Sequence, residues 1–405
     1  MSLTIDRLRD LIRNDAALRR ARRLQPTEGP GAKLFPPTYP GTRPGDPPRH
    51  IFEHRRIGGG DVLCVLIDSV QSQANRLEEA LRDARENCVA FPAISVDFSD
   101  TAVGDIGRIT TLDAPHRVFD AIIRDSELDG VRFRDTEAGK RILASKAAHA
   151  RAVYELSPTA LVFGAWNSTG EGGGLGAKFP RAVVSEIVGI GVAQEPGASS
   201  EGSRPSGRRP GSRIDPLGIR SGVRVYKLEG GDWSLEKPKK GGKEVKPSEV
   251  NHSNIAPTIQ ELGVSVDHVL HTFVISAAAL RRLRFANGST EADEVARTAL
   301  AALALVAVTA QDRAGYFLRS RCDLVPEPDS PAGFEIVRTD GRTESVEADL
   351  ESAARLLQQA VNAAKDAGIL WNAEDLMLKP QAKLVGLVKQ SRELALVGAE
   401  EQQED

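Results

Sequence analysis

Hydrophobic positions along this chain fall into two kinds of run, one at helical spacing and one of continuous β-branched residues. Ile5, Leu8, Leu11, Ile12 and Leu18 recur at helical intervals, which predicts an N-terminal helix within residues 1–24. Arg9, Arg13, Arg19, Arg20 and Arg23 fall on its other face. From residue 25 to 50 the pattern lapses into eight prolines and several glycines, the signature of an extended arm. Residues 61–67 are almost wholly apolar and predict a buried strand. Ser69 then caps a helix through Asn87 whose Leu77, Ala80, Leu81 and Ala84 face inward. Residues 91–98 and 108–112 read as strands, and Pro115 sits in the first turn of a helix running to Ile123. Residues 136–156 read as one helix, stopped by Ser157-Pro158, and residues 181–192 as a strand.

Periodicity disappears over residues 193–222, which are rich in Gly, Ser, Pro and Arg. Segments 223–228 and 233–235 then flank Glu229-Gly230-Gly231-Asp232, a hairpin signal. Residues 267–275 predict a strand, residues 291–312 an apolar helix capped by Thr290 with Asp293, and residues 316–325 a further strand. Beyond Gly341 the chain reads as helical and increasingly acidic. Two strand–helix pairings, 61–67 with 70–87 and 291–312 with 316–325 preceded by 267–275, outline a split βαβ arrangement. The expected fold class is therefore α+β, a ferredoxin-like sheet with large insertions and one open face suited to single-stranded RNA. The expected organisation is an N-terminal helix and arm over 1–50 and a core over 51–340. That core carries a helical insertion at about 113–157 and a basic insertion at about 193–255. A helical segment with an acidic tail follows over 341–405.

Composition narrows the function classes. The 405 residues carry a net charge of −3, so no global basic field draws the protein to nucleic acid, and such binding must come from local patches. One patch lies between Ser203 and Lys227, where seven cations, among them Arg213, Arg220 and Arg224, face one acid, Asp215. The three cysteines are far apart and form neither a disulfide framework nor a zinc spacing, which points to a reducing cytosol. Cys64 and Cys322 sit in apolar stretches and are expected in the core. The longest strongly apolar stretch without charge, residues 298–310, is too short for the ~20 residues a membrane-spanning helix needs. The N-terminus is charged and amphipathic, unlike a secretion signal. A soluble, cytoplasmic protein without membrane partners is expected.

The most informative stretch is residues 164–181. Five glycines lie between Gly170 and Gly176, after an apolar segment and before Lys178 and Arg181. Such a loop can bring successive main-chain N–H groups onto an anion, usually phosphate. A Walker A pattern fails, because Lys178 lies between Ala177 and Phe179. A dinucleotide fingerprint matches only as a glycine run does by default, and Pro180 denies it the helix that would hold a pyrophosphate. A plain surface loop and a loop tracking a phosphodiester backbone remain. On the second reading Asn167, Ser168, Thr169, Gly172, Gly173, Gly174, Lys178 and Arg181 contact the polymer.

A second polar stretch, Asp68 to Arg76, crowds Ser69, Gln71, Ser72, Gln73, Asn75 and Arg76 into the first turns of a helix. These residues either cap and solvate the helix or present donors to phosphate and ribose. Catalytic constellations are sparse: there is no H-E-x-x-H, G-x-S-x-G or C-x-x-C. His149 is isolated, and His268 and His271 fall on opposite faces of a strand. Asp97 and Asp100 could pair as metal carboxylates, which keeps a metal-dependent ribonuclease open beside a phosphate-ester enzyme that uses the glycine loop for a nucleotide. No catalytic residue, metal or cofactor is assigned. Aromatic content of 5% and the lack of an aromatic RNA-recognition signature predict binding through phosphates, without dominant base stacking.

Residues 66–81 (Leu66-Ile-Asp-Ser-Val-Gln-Ser-Gln-Ala-Asn-Arg-Leu-Glu-Glu-Ala-Leu81) and 160–187, which contain the glycine run, together resemble a known family. It is the CRISPR-associated backbone subunit of type I-U (I-G) Cascade-like surveillance complexes, of the RAMP superfamily. The resemblance runs from about residue 50 to 330. It implies a modified RNA-recognition fold with palm, fingers and thumb. Copies would polymerise head to tail along one CRISPR RNA (crRNA), in a ribonucleoprotein that offers the guide to target DNA in antiviral defence. The implied partners are crRNA, target DNA, further copies of the chain, other surveillance-complex subunits and a separate nuclease that cuts. The turn at 69–76 and the loop at 167–181 would hold the RNA, and the basic segment with Arg213, Arg220 and Arg224 would be the thumb.

Overall fold

The computed structural model describes residues 1–41, 49–167, 178–193, 208–213, 217–220, 222–228, 232–238, 242–250, 252, 255–285, 288–372 and 374–401. The fold is α+β. Its larger sheet has nine strands, seven of them in the order Tyr316–Arg319, Cys322–Pro326, Ala17–Pro26, Val266–Ser276, Val183–Val192, Gly60–Asp68, Phe52–Ile57. All paired neighbours in this sheet run antiparallel. The strands Phe334–Val337 and Thr343–Val346 complete it by pairing beside Ala17–Arg19.

The four central strands visit the sheet in a split order. Ala17–Pro26 comes first and Val183–Val192 second. Val266–Ser276 returns between them, and Cys322–Pro326 lies outside the first. Helix Val70–Asn87 falls between the first and second, and helix Thr290–Ala314 between the third and fourth. These two helices pack on each other and reach the strands Val183–Val192 and Val266–Ser276 respectively. Period-two alternation sorts the sheet's residues: Val269, His271, Phe273 and Ile275 are buried, whereas the alternate His268, Leu270, Thr272 and Val274 are half-buried. On Leu270's face a small apolar cluster forms from Cys64, Val188, Ile190, Val62, Leu66 and Leu270. Thr290–Ala314 is apolar on all sides and is buried over its middle, as a helix surrounded by other elements must be.

The N-terminus departs from the periodicity reading. The helix ends at Asn14, and Ala17–Pro26 is a strand at the centre of the sheet. Its register against Val266–Ser276 aligns Arg20 with Phe273 and Leu24 with Val269. The framework strand expected at 61–67 exists, as Gly60–Asp68, but it belongs to a hairpin added outside Val183–Val192. Other corrections are local. Residues 113–123 form a 3-10 turn, Arg117–Phe119, and a short helix, Ala121–Arg124. The helix expected over 136–156 is two, Glu137–Leu143 and Arg151–Leu156, parted by a turn bridging Lys146 and His149. The cap of the long helix is Ser289, which accepts from Ala292 N; Asp293 instead accepts from Phe285 N at 2.7 Å. Cys64 and Cys322 are buried, as their apolar settings predict.

The chain divides into two compact units, residues Met1–Val192 with Val266–Leu384, and Ala193–Ser265 with Val385–Asp405. Within the first, a smaller five-stranded sheet runs Arg108–Thr110, Ile94–Asp97, Leu376–Pro380, Ser126–Leu128, Val131–Arg132. Within the second, Arg208–Arg213 pairs with Ile255–Glu261, and Val225–Lys227 lies between Trp233–Ser234 and Lys243–Val245. The strands flanking the Gly230-Gly231 signal thus pair with each other, while residues 229–231 lie outside the described residues.

Candidate nucleic-acid interface

The glycine-rich segment, residues 168–177, lies outside the described residues, and with it Ser168, Thr169, Gly172, Gly173 and Gly174. Its two ends are described and meet. Ala165 pairs with Phe179 and Trp166 with Lys178 in a two-residue antiparallel ladder. The ladder has an inner rung: Ala165 and Phe179 are buried, and Phe179 stacks flat on Phe119 with ring centres 6.3 Å apart. Trp166 is 50% exposed and Asn167 half-buried.

Under this ladder lies a buried ion pair that sequence reasoning missed. Arg117 donates from Nε and Nη2 to both oxygens of Glu78, each at 2.6 Å, and from Nη1 to the carbonyl of Gly164 at 2.9 Å. Burial pushes the Glu78 carboxyl up to about 7, and the Arg117 guanidinium opposes that shift. Two-point donation to a carboxylate is a strong and geometrically specific contact. Arg117 has φ 52°, a left-handed conformation that a non-glycine residue seldom adopts, so the surroundings hold it in place.

Gly164 is required by geometry. Its φ is +83°, and a Cβ would stand 3.0 Å from the Arg181 N and Cγ and from the Phe179 carbonyl oxygen. Arg181 therefore packs over Gly164 while remaining exposed. Partial burial, reinforced by the charge of Arg117, lowers the Arg181 pKa, whereas Glu78 raises it. Two guanidinium groups and one carboxylate leave this corner with a net positive charge.

The polar turn after Gly60–Asp68 is organised differently from the sequence reading. Ser69 caps the helix by accepting from Ser72 N at 3.3 Å. Gln73 is a correction: its side chain is fully buried and cannot reach an external polymer. Asp68, also fully buried, gathers the neighbouring donors, Ser72 Oγ at 2.8 Å, Gln73 Nε2 at 2.7 Å, Arg76 Nε at 3.0 Å and Arg319 Nη2 at 3.1 Å. Arg76 also donates to the Leu318 carbonyl at 2.6 Å. Ser72 and Arg76 are thus turned to Asp68, and only Gln71 and Asn75 of this set are exposed. The signal lay in the sequence: an acid ending an apolar strand needs partners, and Ser72 and Arg76 follow it at helical intervals.

The network continues across the core. Gln73 Oε1 accepts from Ser185 Oγ at 3.0 Å, and Ser185 Oγ lies 2.8 Å from His271 Nε2. His271 Nδ1 lies 3.1 Å from the Tyr316 hydroxyl, which donates to Asp312, the partner of Arg20.

In the basic segment, Arg220 and Arg224 are exposed, and Arg224 Nε lies 3.4 Å from Glu244. Arg213 lies in the strand Arg208–Arg213. The two carboxylates weighed as metal ligands have other neighbours: Asp97 accepts from Ser99 N at 2.9 Å, and Asp100 lies 3.9 Å from Lys379. Among the described residues no three His, Cys, Asp or Glu side chains are grouped to hold a metal ion, and no helix is long and apolar enough to cross a membrane.

Residues 18–194 match the family model described as CRISPR-associated protein GSU0053 (Cas_GSU0053). Over that span the chain is similar to a CRISPR-associated protein family. No curated protein matches it. The span similar to the CRISPR-associated family begins in the first strand of the sheet and ends just past Val183–Val192. It contains the Asp68 turn, the Arg117–Glu78 pair and the ladder that joins Ala165 to Phe179 and Trp166 to Lys178.

Proposed function

We propose that the chain is an RNA-binding backbone subunit of a CRISPR surveillance complex. Copies polymerise along the guide RNA and present it for pairing with target DNA. The subunit itself does not cut; a separate nuclease does. The observation that carries this reading is the family match across the ladder and its positively charged root. The strand and helix order supports it: first, second, third and fourth strands with helices after the first and third, in the spatial order four-one-three-two, are the ferredoxin-like arrangement of RNA-recognition domains. A net charge of only −3 lets copies stack without strong mutual repulsion. A head-to-tail contact that does not close then yields a filament whose length the RNA sets.

The test is to co-express the chain with a CRISPR array and sequence whatever nucleic acid co-purifies. Short RNA of defined length, carrying repeat-derived ends, is the expected result. Protein that emerges free of nucleic acid, with or without the array, refutes the proposal. Replacing Lys178 and Arg181 by Ala should lower the slope of log K against log salt by up to about two.

A further inference from the structure

A groove of about 1300 Å³ lies in the first compact unit. It is bounded by the helix Leu350–Asp366, the end of Val70–Asn87 and Arg108–Thr110, an edge strand of the smaller sheet. Its apolar lining comes from separate segments: Val89, Ile106, Ile109, Val361 and Trp371 are each half-buried. Its charge is unbalanced, with five cations against three acids. Asp113 is held by Arg82 at 2.6 Å and Asp375 by Arg85. Of the other lining charges, Arg108 lies 3.5 Å from Asp97, and Arg355, Lys365 and Glu86 are exposed. The volume exceeds the ~300–1,000 Å³ of ordinary small-molecule pockets, which favours a stretch of polymer as the occupant. A complementary surface lies on the same chain. The helix Ala382–Glu401 leaves Leu387 at 65% and Leu394 at 69% exposure. Seven residues apart, they share one helical face, the spacing by which amphipathic helices enter grooves. The sequence beyond them is acidic: Glu400, Glu401, Glu404 and Asp405 are four of the last six residues. Apolar anchors followed by carboxylates match an apolar lining beside surplus cations, whereas phosphate contacts alone would leave that lining bare. A groove and a ridge that fit each other on one chain form a heterologous contact between copies, the kind that runs on without closing.

We propose that this groove takes the C-terminal helix and acidic tail of a neighbouring copy, a contact that rests on the filament reading above and names the surfaces that join. The full chain, freed of nucleic acid, is followed by sedimentation over a concentration series. The wild type should associate. Leu387→Glu with Leu394→Glu should weaken association by roughly tenfold or more at every salt concentration, through loss of buried apolar anchors. Arg355→Glu with Lys365→Glu should weaken it by roughly 3- to 10-fold at low salt and less at high salt, because exposed charges are screened. Adding Glu400→Lys, Glu401→Lys, Glu404→Lys and Asp405→Lys to that groove variant should restore association. The leucine and groove positions are exposed, so urea midpoints should not move. A mixture of the leucine variant and the groove variant should stop at a pair, since one intact groove meets one intact helix. A wild type that stays monomeric, or variants that associate as it does, overturn the inference; guide RNA recovered with that protein leaves the functional reading intact. A charge swap that shifts only the urea midpoint also overturns it, because the tail then covers the groove of its own copy. So does RNA affinity lost with association unchanged, which makes the groove a nucleic-acid contact. Association through these residues in a chain that carries no RNA sinks the functional reading alone.

Discussion

His271 offers a quantitative test of how the core is built. It is fully buried between Ser185 and Tyr316, and burial, reinforced by Arg20, pushes its pKa down to about 3, with Asp312 acting weakly the other way. The unfolded chain protonates the same imidazole near pH 6.5. The folded-state pKa is depressed, so at low pH the unfolded state binds the extra proton. Stability is then unaffected above about pH 6.5 and falls as pH drops toward 3. At about pH 5, one and a half units below the unfolded value, the loss from this residue is about 2 kcal/mol, at 1.36 kcal/mol per unit. That is a sizeable part of a typical stability of roughly 5–15 kcal/mol. The assay is urea unfolding of the wild type and His271→Gln, side by side, between about pH 7.5 and 5. Gln cannot titrate, so every other group cancels in the comparison. The wild type should lose about 2 kcal/mol more than the variant over that interval. Parallel pH profiles would show that His271 is protonated in the fold or does not matter to it, and the reasoning from burial would fail.

Three further outcomes follow from the root of the ladder and the helix cap. Arg117→Met should cost about 3–5 kcal/mol in urea unfolding, because it strands the buried Glu78; adding Glu78→Leu should restore much of the loss, and a single variant as stable as wild type would contradict the buried pair. Gly164→Ala should cost at least about 1–2 kcal/mol from its left-handed φ alone, with Cβ crowding added; a change under ~0.5 kcal/mol would mean that the turn relaxes freely. Ser69→Ala should cost about 1 kcal/mol through the lost helix cap, without altering RNA affinity if the cap is the whole of its role; an unmoved urea midpoint would remove the cap from the account.

Legibility in the sequence followed the locality of the forces. Gly60–Asp68 with Val70–Asn87 was readable because a continuous apolar run stops at a serine cap, and both signals lie within a few residues. Ala17–Pro26 was not. Its Ala, Leu and Arg residues are good helix formers, and only pairing on both sides with segments far along the chain makes it a strand. Arg20 looked like one of several surface cations, yet it is buried and paired with Asp312 of the long helix. The polar residues after Asp68 were legible as a cluster, and their direction was signalled by the acid that ends the apolar strand just before them. The Arg117–Glu78 pair joins residues 39 apart and left no pattern to read, whereas the glycine run with its flanking cations was plain.

The strand Ala17–Pro26 carries a consequence for how the protein is made. Every strand it pairs with lies at or beyond Val266, about 240 residues later in synthesis. At roughly 5–20 residues per second a ribosome needs about 12–50 seconds to deliver the nearest of them. Through that interval the nascent chain carries Leu18 and Leu24 without their sheet, and translation halted before Val266 leaves a product that cannot complete its own centre.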